Sequence, residues 1–292
     1  MITRDEDTLI RSLTRNWSTN GLVTGPGHDC AVLEAMPQGS LPVIKTDAVV
    51  EGVHFTSQAP ARAVGHKAIA RVLSDFAAAA ATPRAALIAL GLPTNVSFQR
   101  LRQIYRGLEA TAQAHQVALA GGELTRSPVL WLAVSGYGYV LDNHQVRRSG
   151  ARAGDLLVVT GRLGNTQKRH HLNFTPRLAE GQWLGTHRFA TSMMDLSDGL
   201  GRDLPRLAAA SRLSFVLHPE NLPCRGQASP EQALNEGEDY ELLFTVNPSD
   251  WPRLIQAWPF TTELTVIGAM RPAGEPPATS GLKLRGFDHF DS

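Results

Sequence analysis

Eight carboxylates, Asp29, Asp47, Asp75, Glu123, Asp195, Asp198, Glu238 and Asp239, are spread over more than half of a 292-residue chain. Nearly every one sits at the end of an apolar run or in a glycine-rich turn. Acids brought from such distant points into one site repel one another, by about 4 kcal/mol per pair 4 Å apart at an effective dielectric near 20, unless hard cations lie between them. The series therefore restricts the chain to folds that gather strand ends around a cation, and it predicts Mg²⁺.

The length exceeds the usual single-core size, so two domains are expected, with one large α/β domain as the alternative. Apolar residues make up 42% of the chain, enough for real cores. Lys and Arg number 28 against 27 Asp and Glu, a net charge of +1, which offers no general field for nucleic acid or an acidic membrane. Phosphate binding, if present, has to be local. Cys30 and Cys224 are far apart and show no C-x-x-C spacing, which points away from zinc and disulfides and toward a reduced cytoplasm. The N-terminal stretch Met1–Asp7 is too charged to begin a signal peptide. The apolar stretch from Ala68 to Pro93 is interrupted by Arg71, Asp75, Pro83 and Arg84, so the protein is expected to be soluble.

Periodicity predicts alternating strands and helices. Leu41–Thr46 reads as a strand ending at Asp47, and Val49–Phe55 as a second extended piece. Ala61–Ala81 places Ile69, Val72, Leu73 and Phe76 at helical spacing, with Pro83 as the stop. Ala85–Leu92 reads as a buried strand, Ser97–His115 as a helix, and Val117–Ala120 and Val129–Leu141 as strands, with a turn at Asp142-Asn143-His144. A new strand, Leu156–Thr160, follows the polar stretch 148–155. The domain boundary is placed near residues 142–150, giving domains 1–145 and 146–292.

Four patches carry the chemistry. In Gly25-Pro26-Gly27-His28-Asp29-Cys30, a glycine turn brings Asp29 to a strand start; taken alone it reads as an ordinary turn aspartate. In the second, Thr46-Asp47 and Glu51-Gly52-Val53-His54-Phe55 precede Asp75. That aspartate borders an apolar helical stripe, where a charge needs a partner or a metal, although a helix-surface aspartate is an equal reading. His54, between two apolar residues, reads first as a satisfied core histidine. In the third, Gly121-Gly122-Glu123 follows a strand; paired glycines let backbone N–H groups converge on phosphate, and a plain hairpin turn competes. Arg148 suits a phosphate contact or a solvated charge. The fourth, Met193-Met194-Asp195-Leu196-Ser197-Asp198-Gly199-Leu200, spaces two aspartates so that a strand-to-helix turn can direct both into one site. Gly237-Glu238-Asp239-Tyr240-Glu241 is a further acidic turn, ahead of the strand Leu242–Val246.

In this order the motifs resemble the thiamine-monophosphate kinase family, within the superfamily of aminoimidazole ribotide synthetase, selenophosphate synthetase and a hydrogenase maturation protein. The match runs from Gly25 to Gly286-Phe287-Asp288-His289-Phe290. It implies an α/β (α+β) fold of two domains, the first giving strands to a dimer-spanning β-barrel and the second closing over ATP. It implies Mg²⁺-assisted in-line transfer of the γ-phosphoryl group of ATP to thiamine monophosphate, in a cytoplasmic homodimer without nucleic-acid or membrane partners. The absence of G-x-x-x-x-G-K-[ST] agrees with a kinase that lacks a P-loop. Carried over by position, Asp29, Thr46, Asp47, Asp75, Glu123, Asp195 and Asp198 match metal positions, with Asp47, Asp75 and Asp195 central to catalysis. Gly121, Gly122, Arg148 and Ser197 match nucleotide contacts, and His54 and Glu238 match contacts to the thiamine phosphate.

Several positions depart from the family pattern. His28 replaces the first of two aspartates, Glu123 replaces an aspartate, and Lys45 replaces a small hydroxyl residue, so that an ammonium would occupy a cation's place or repel it. The glycine- and serine-containing segment after Gly164 is reduced to a basic stretch, 165–175. Leu284 stands where the family has a tryptophan beside the substrate. Pro205 suggests that the helix after Asp198 starts late or bends. A kinase for another acceptor and an impaired nucleotide-binding relative are the alternatives. Selenophosphate synthesis would want a reactive cysteine near the glycine-rich N-terminal region, and hydrogenase maturation a C-terminal one, whereas this chain ends in Phe290-Asp291-Ser292.

Overall fold

The computed structural model describes residues 6–15 and 17–287, and Asp288-His289-Phe290 of the family-like C-terminal motif lie outside them. The chain divides into two compact units. One runs to Phe76 and resumes over Thr82–Asp142; the other takes Ala77–Ala81 and the chain from Asn143 onward. Among the described residues no helix is long and apolar enough to cross a membrane.

The first unit contains α1 (Glu6–Thr14), β1 (Leu22–Thr24), β2 (Val32–Leu33), β3 (Ser40–Val50), most of α2 (Ala61–Ala78), β4 (Thr82–Leu92), α3 (Phe98–Ala114), β5 (Ala118–Arg126) and β6 (Trp131–Leu141). Its main sheet has the order β3-β6-β4-β5. Only β4 and β5, joined through α3, run parallel. That pairing follows from the crossover helix, which Ser97 caps by accepting the Arg100 backbone N–H.

Three expectations for this unit are corrected. The strand read as ending at Asp47 continues to Val50, because Val49 and Val50 pair with Leu132 and Trp131; only a tight turn follows, closed by Gly52 N–H to Phe55 O. The glycine pair expected at a strand end or in a hairpin lies inside β5, which continues to Arg126. The helix is also shorter than expected. It ends at Ala78, and Pro83 falls within β4.

Strand alternation sorts the side chains of this sheet. Asp47 and Lys45 stand opposite Val134 and Gly136, on the face where Val72 and Phe76 of α2 pack against β6. Gly136 leaves room for that helix: a Cβ there would lie 2.6 Å from Val72 Cγ1 and 2.8 Å from Phe76. Ile69, Val72, Leu73 and Phe76 are all buried, as their spacing predicts. Thr46 and Ile44 point to the opposite face, where Ile44 is 79% and Leu87 49% exposed.

The second unit contains β7 (Leu156–Thr160), α4 (His170–Asn173), α5 (Leu178–Thr186), β8 (Ala190–Asp195), α6 (Leu200–Ala210), β9 (Ser214–Leu217), α7 (Pro230–Asn235), β10 (Leu242–Val246), α8 (Trp251–Ala257) and β11 (Leu264–Arg271). Its sheet, β8-β10-β7-β11-β9, is antiparallel throughout. The core gathers Leu200, Leu204 and Leu207 of α6 with Leu157, Val159, Leu243 and Phe215. Helix α6 starts directly after Gly199 and not late; Pro205 is accommodated inside it. The cost is one backbone bond, since proline has no N–H to give the carbonyl four residues back.

Gly122 sits where β5 passes close to β4, and a Cβ there would come within 1.8 Å of the Ile88 carbonyl oxygen. At Gly121 the nearest atom, Leu87 Cδ2, would be 3.5 Å away. Gly122→Ala is therefore expected to destabilise the protein by about 3 kcal/mol, and Gly121→Ala by clearly less. Urea unfolding of the two variants checks the difference.

Candidate active site

The acids of the first unit form two groups. Asp29 and Glu123 line one cavity of about 520 Å³ together with Gly121, Gly122 and His28. Neither acid makes an ion pair among the described residues. Asp29 also borders a neighbouring trough of about 930 Å³ that includes Thr46, Ser135, Ile44 and Leu87. Thr46 Oγ1 donates to Val134 O and accepts from Ser135 Oγ at 3.0 Å.

Asp47 and Asp75 form the other group. The alternation of β3 brings Lys45 and Asp47 to the α2 side, and α2 presents Arg71 and Asp75 one turn apart. Lys45 Nζ lies 2.9 Å from Asp75 Oδ2 and 3.5 Å from Asp47 Oδ2. Arg71 Nη2 lies 3.7 Å from Asp47 Oδ1, while its Nη1 donates to Ala48 O. The partner that Asp75 needs beside an apolar stripe is thus an ammonium from the neighbouring strand. Thr46 and Asp47 point to opposite faces of β3, so their side chains do not meet at one ion.

His54 is half-buried and fixed from two sides. Its Nδ1 accepts the Val50 N–H, so a neutral ring carries its proton on Nε2. Its backbone oxygen accepts from Lys67 Nζ at 2.7 Å, and Lys67 is wholly buried. A buried ammonium is costly unless bonded. Lys67 therefore ties the Glu51–Phe55 turn to α2, a role that the sequence reading did not assign.

In the second unit, β8 ends at Asp195, which is 4% exposed, and the chain turns through Leu196-Ser197-Asp198-Gly199 into α6. The turn is laced to the 237–241 loop. Leu196 N–H donates to Glu241 O, Tyr240 N–H to Leu196 O, and Glu238 N–H to Ser197 O. From the first turn of α6, the fully buried Asp203 reaches back, and its Oδ2 accepts the N–H groups of Ser197 at 3.1 Å and Asp198 at 3.0 Å. Arg206 Nη1 joins Asp203 Oδ1 at 2.9 Å to Asp198 Oδ2 at 2.6 Å. Burial, with Asp195 and Asp198 nearby, pushes Asp203 up to about 6 against these donors. Asp203 was missed in the sequence, yet it falls in the helical register of Leu200, Leu204 and Leu207, the same signal that singled out Asp75.

Glu238 and Tyr240 adopt left-handed backbone angles, φ 67° and 52°. The basic stretch 165–175 holds this strained loop. His171 Nδ1 lies 3.1 Å from Glu238 Oε2, Thr166 Oγ1 donates to Gly237 O, and Phe174 stacks on Tyr240 at 3.9 Å between ring centroids. His170 Nε2 lies 2.9 Å from Asp239 O, and burial pulls this imidazole down to about 4. Asp239 Oδ1 accepts from Arg225 Nη1 and Gly164 N–H, while its Oδ2 is buried with no hydrogen-bond partner. Glu241 is bidentate with Arg177, at 2.7 Å for both bonds.

Arg148 is exposed in the loop before β7. Leu284 packs against the core of the second unit. Among the described residues, no three His, Cys, Asp or Glu side chains converge into a ready-made metal cage.

Truncating Asp203 leaves two N–H groups without an acceptor at a buried turn. Asp203→Ala is expected to cost about 2–4 kcal/mol, read as a lowered urea midpoint. Burial pushes Asp239 up to about 8, against the pull of Arg225 and the Gly164 N–H. The folded state thus keeps a proton that the unfolded chain releases near pH 4. Its contribution to stability is full below that pH and is lost as the pH rises toward 8, at up to about 1.4 kcal/mol per pH unit. Asp239→Asn should show a flatter fall in stability between pH 6 and 8, measured by denaturant unfolding at each pH.

Residues 27–140 match the family described as AIR synthase related protein, N-terminal domain. The chain is 34% identical to the thiamine-monophosphate kinase of Synechococcus elongatus over 304 aligned positions, which cover 90% of this chain and 91% of that one. Among solved structures, thiamine-monophosphate kinase from Stenotrophomonas maltophilia superposes with a TM-score of 0.81 at 29% identity, covering 94% of this chain and 95% of that chain. AaThiL complexed with AMPPCP and TMP superposes with a TM-score of 0.77 at 27% identity, covering 99% and 100%. With that identity spanning both units, and with the α/β architecture in common, the chain belongs to the thiamine-monophosphate kinase family.

Proposed function

We propose that this protein transfers the γ-phosphoryl group of ATP to the phosphate of thiamine monophosphate, giving thiamine diphosphate and ADP. The observation that carries this reading is the extent of the likeness: it takes in 90% of the chain and so reaches both units. In the transfer, the bond from the β,γ-bridging oxygen to the γ-phosphorus breaks, and a bond from a phosphate oxygen of thiamine monophosphate to that phosphorus forms. The electron pair of the broken bond leaves with ADP. The acceptor oxygen needs no general base, because a phosphate monoester with a second pKa near 6 is already largely dianionic at pH 7. The enzyme's task is then to hold two anions in line and to offset their charge.

Asp29 and Glu123, hard oxygen donors without ion-pair partners among the described residues, suit Mg²⁺. Such an ion is ordinarily held by one or two carboxylates plus substrate phosphates and water, and an all-protein cage is not required. Thr46, Asp195 and Asp198 are the further candidate ligands, Asp198 sharing its carboxylate with Arg206. When bound, Mg²⁺ would supply positive charge that offsets the phosphates' repulsion. In this proposal Asp47, Asp75 and Asp195 are the residues most important for catalysis. Gly121, Gly122, Ser197 and Arg148 contact the nucleotide, Gly121 and Gly122 lining the same cavity as Asp29 and Glu123. His54, oriented by Val50 and Lys67, and Glu238, held by His171, contact the thiamine phosphate.

The apolar outer face of the β3-β6-β4-β5 sheet, with Ile44 and Leu87 exposed, supports a homodimer in which two such sheets close a barrel. The use of ATP supports a cytoplasmic location.

Purified protein incubated with ATP, Mg²⁺ and thiamine monophosphate is expected to form thiamine diphosphate. Asp47→Asn and Asp195→Asn should each lower kcat by at least about 100-fold, the scale of losing a transition-state contact. Nucleotide binding without turnover of thiamine monophosphate would overturn the reading.

A further inference from the structure

We propose that the Lys45 ammonium is the resident cation of the Asp47–Asp75 pair, so that this chain takes up one fewer divalent ion there than it would with a neutral side chain at position 45. The inference rests on the reading above, in which carboxylates of the first unit work with divalent ions. It starts from an arrangement of four charges. Lys45 Nζ is 2.9 Å from Asp75 Oδ2 and 3.5 Å from Asp47 Oδ2, and Arg71 Nη2 is 3.7 Å from the other oxygen of Asp47. Two carboxylates of this unit thus face two of its cations.

Backbone geometry fixes this arrangement. Lys45 and Asp47 share a face because they are two apart on one strand, and Arg71 and Asp75 share a face because they are four apart on one helix. Helix α2 is seated on the sheet by Val72 and Phe76, each of which directly follows one of those two charges in sequence. The ammonium is a compact point charge with three donors, suited to bridging two carboxylates.

A divalent ion does not fit the pair as it stands. Bound about 2.1 Å from Asp75 Oδ2, it would lie no more than about 5 Å from an ammonium that is itself 2.9 Å from the same oxygen. The two positive charges would repel across that gap, and the ammonium already occupies the space between the two carboxylates. Asp29 and Glu123, by contrast, make no ion pair among the described residues and remain open to an ion. The divalent requirement of this chain is accordingly concentrated away from the Asp47–Asp75 pair.

Counting bound Mn²⁺ by electron paramagnetic resonance, in metal-free protein titrated with and without AMPPCP, tests the proposal. Lys45→Ser is expected to bind one more Mn²⁺ per chain than the wild type, and the gain should vanish in Lys45→Ser/Asp75→Asn. Lys45→Met, which keeps most of the alkyl stem, provides a second variant with the same expected gain. In the wild type, Asp75→Asn should leave the count unchanged. Lys45→Ser should also melt at a lower temperature than the wild type in metal-free buffer, and Mn²⁺ should restore it. Equal counts in the wild type and both Lys45 variants, or loss of one ion from the wild type on Asp75→Asn, would overturn the proposal. Equal counts in a protein that makes thiamine diphosphate sink this inference alone. A gained ion in a protein that does not make it sinks the kinase reading alone.

Discussion

Carboxylates that are drawn together for phosphate chemistry must be stable before any phosphate arrives, and this protein meets that demand with donors from its own chain. Lys45 and Arg71 neutralise Asp47 and Asp75; Arg206 joins Asp198 to Asp203; Arg225 and Arg177 hold Asp239 and Glu241. Removing one partner from such a pair is far more damaging than the pair's net worth, because the remaining charge is left in a poorly solvated place. The acidic positions and their basic partners are therefore coupled, and neither set can be read without the other.

Asp203 illustrates how that coupling shapes the site. The Asp195–Gly199 turn has no side-chain cap at the start of α6, and its backbone donors would be orphaned without the Asp203 carboxylate. Burial raises this group's pKa and its neighbours raise it further, so the charge persists only because two N–H groups and an arginine meet it. The same loop carries the left-handed residues Glu238 and Tyr240, a strain tolerated because His171, Thr166 and Phe174 grip it. The short basic stretch 165–175 thus serves as a clamp on the acidic loop.

Much of the local structure was legible from periodicity. Ser97–His115, Leu156–Thr160 and Leu242–Val246 show patterns in which propensity, capping and burial agree, and their elements fall there within a residue. The errors lie where pairing overrode local signals. β3 runs through Asp47 because β6 offers it partners along its whole length, and β5 runs through Gly121-Gly122 because β4 does the same. Glycine and aspartate look like terminators only while the neighbouring strand is unknown.

Taken alone, the sequence determined the kinds of chemistry available: oxygen ligands without zinc or disulfide chemistry, a helix stripe containing Asp75, a double-aspartate turn, and the colinear motifs that resemble one kinase family. Tertiary structure decided which of these groups meet. Lys45 and Asp75 are thirty residues apart, and His171 and Glu238 are farther apart still; no local pattern links either pair. Thr46 and Asp47, adjacent in the chain, point to opposite faces. The physical reason is that side-chain direction follows strand alternation and helix register, whereas ion pairs depend on which strand a helix lies across, and that choice is made by the packing of Val72 and Phe76 against Gly136.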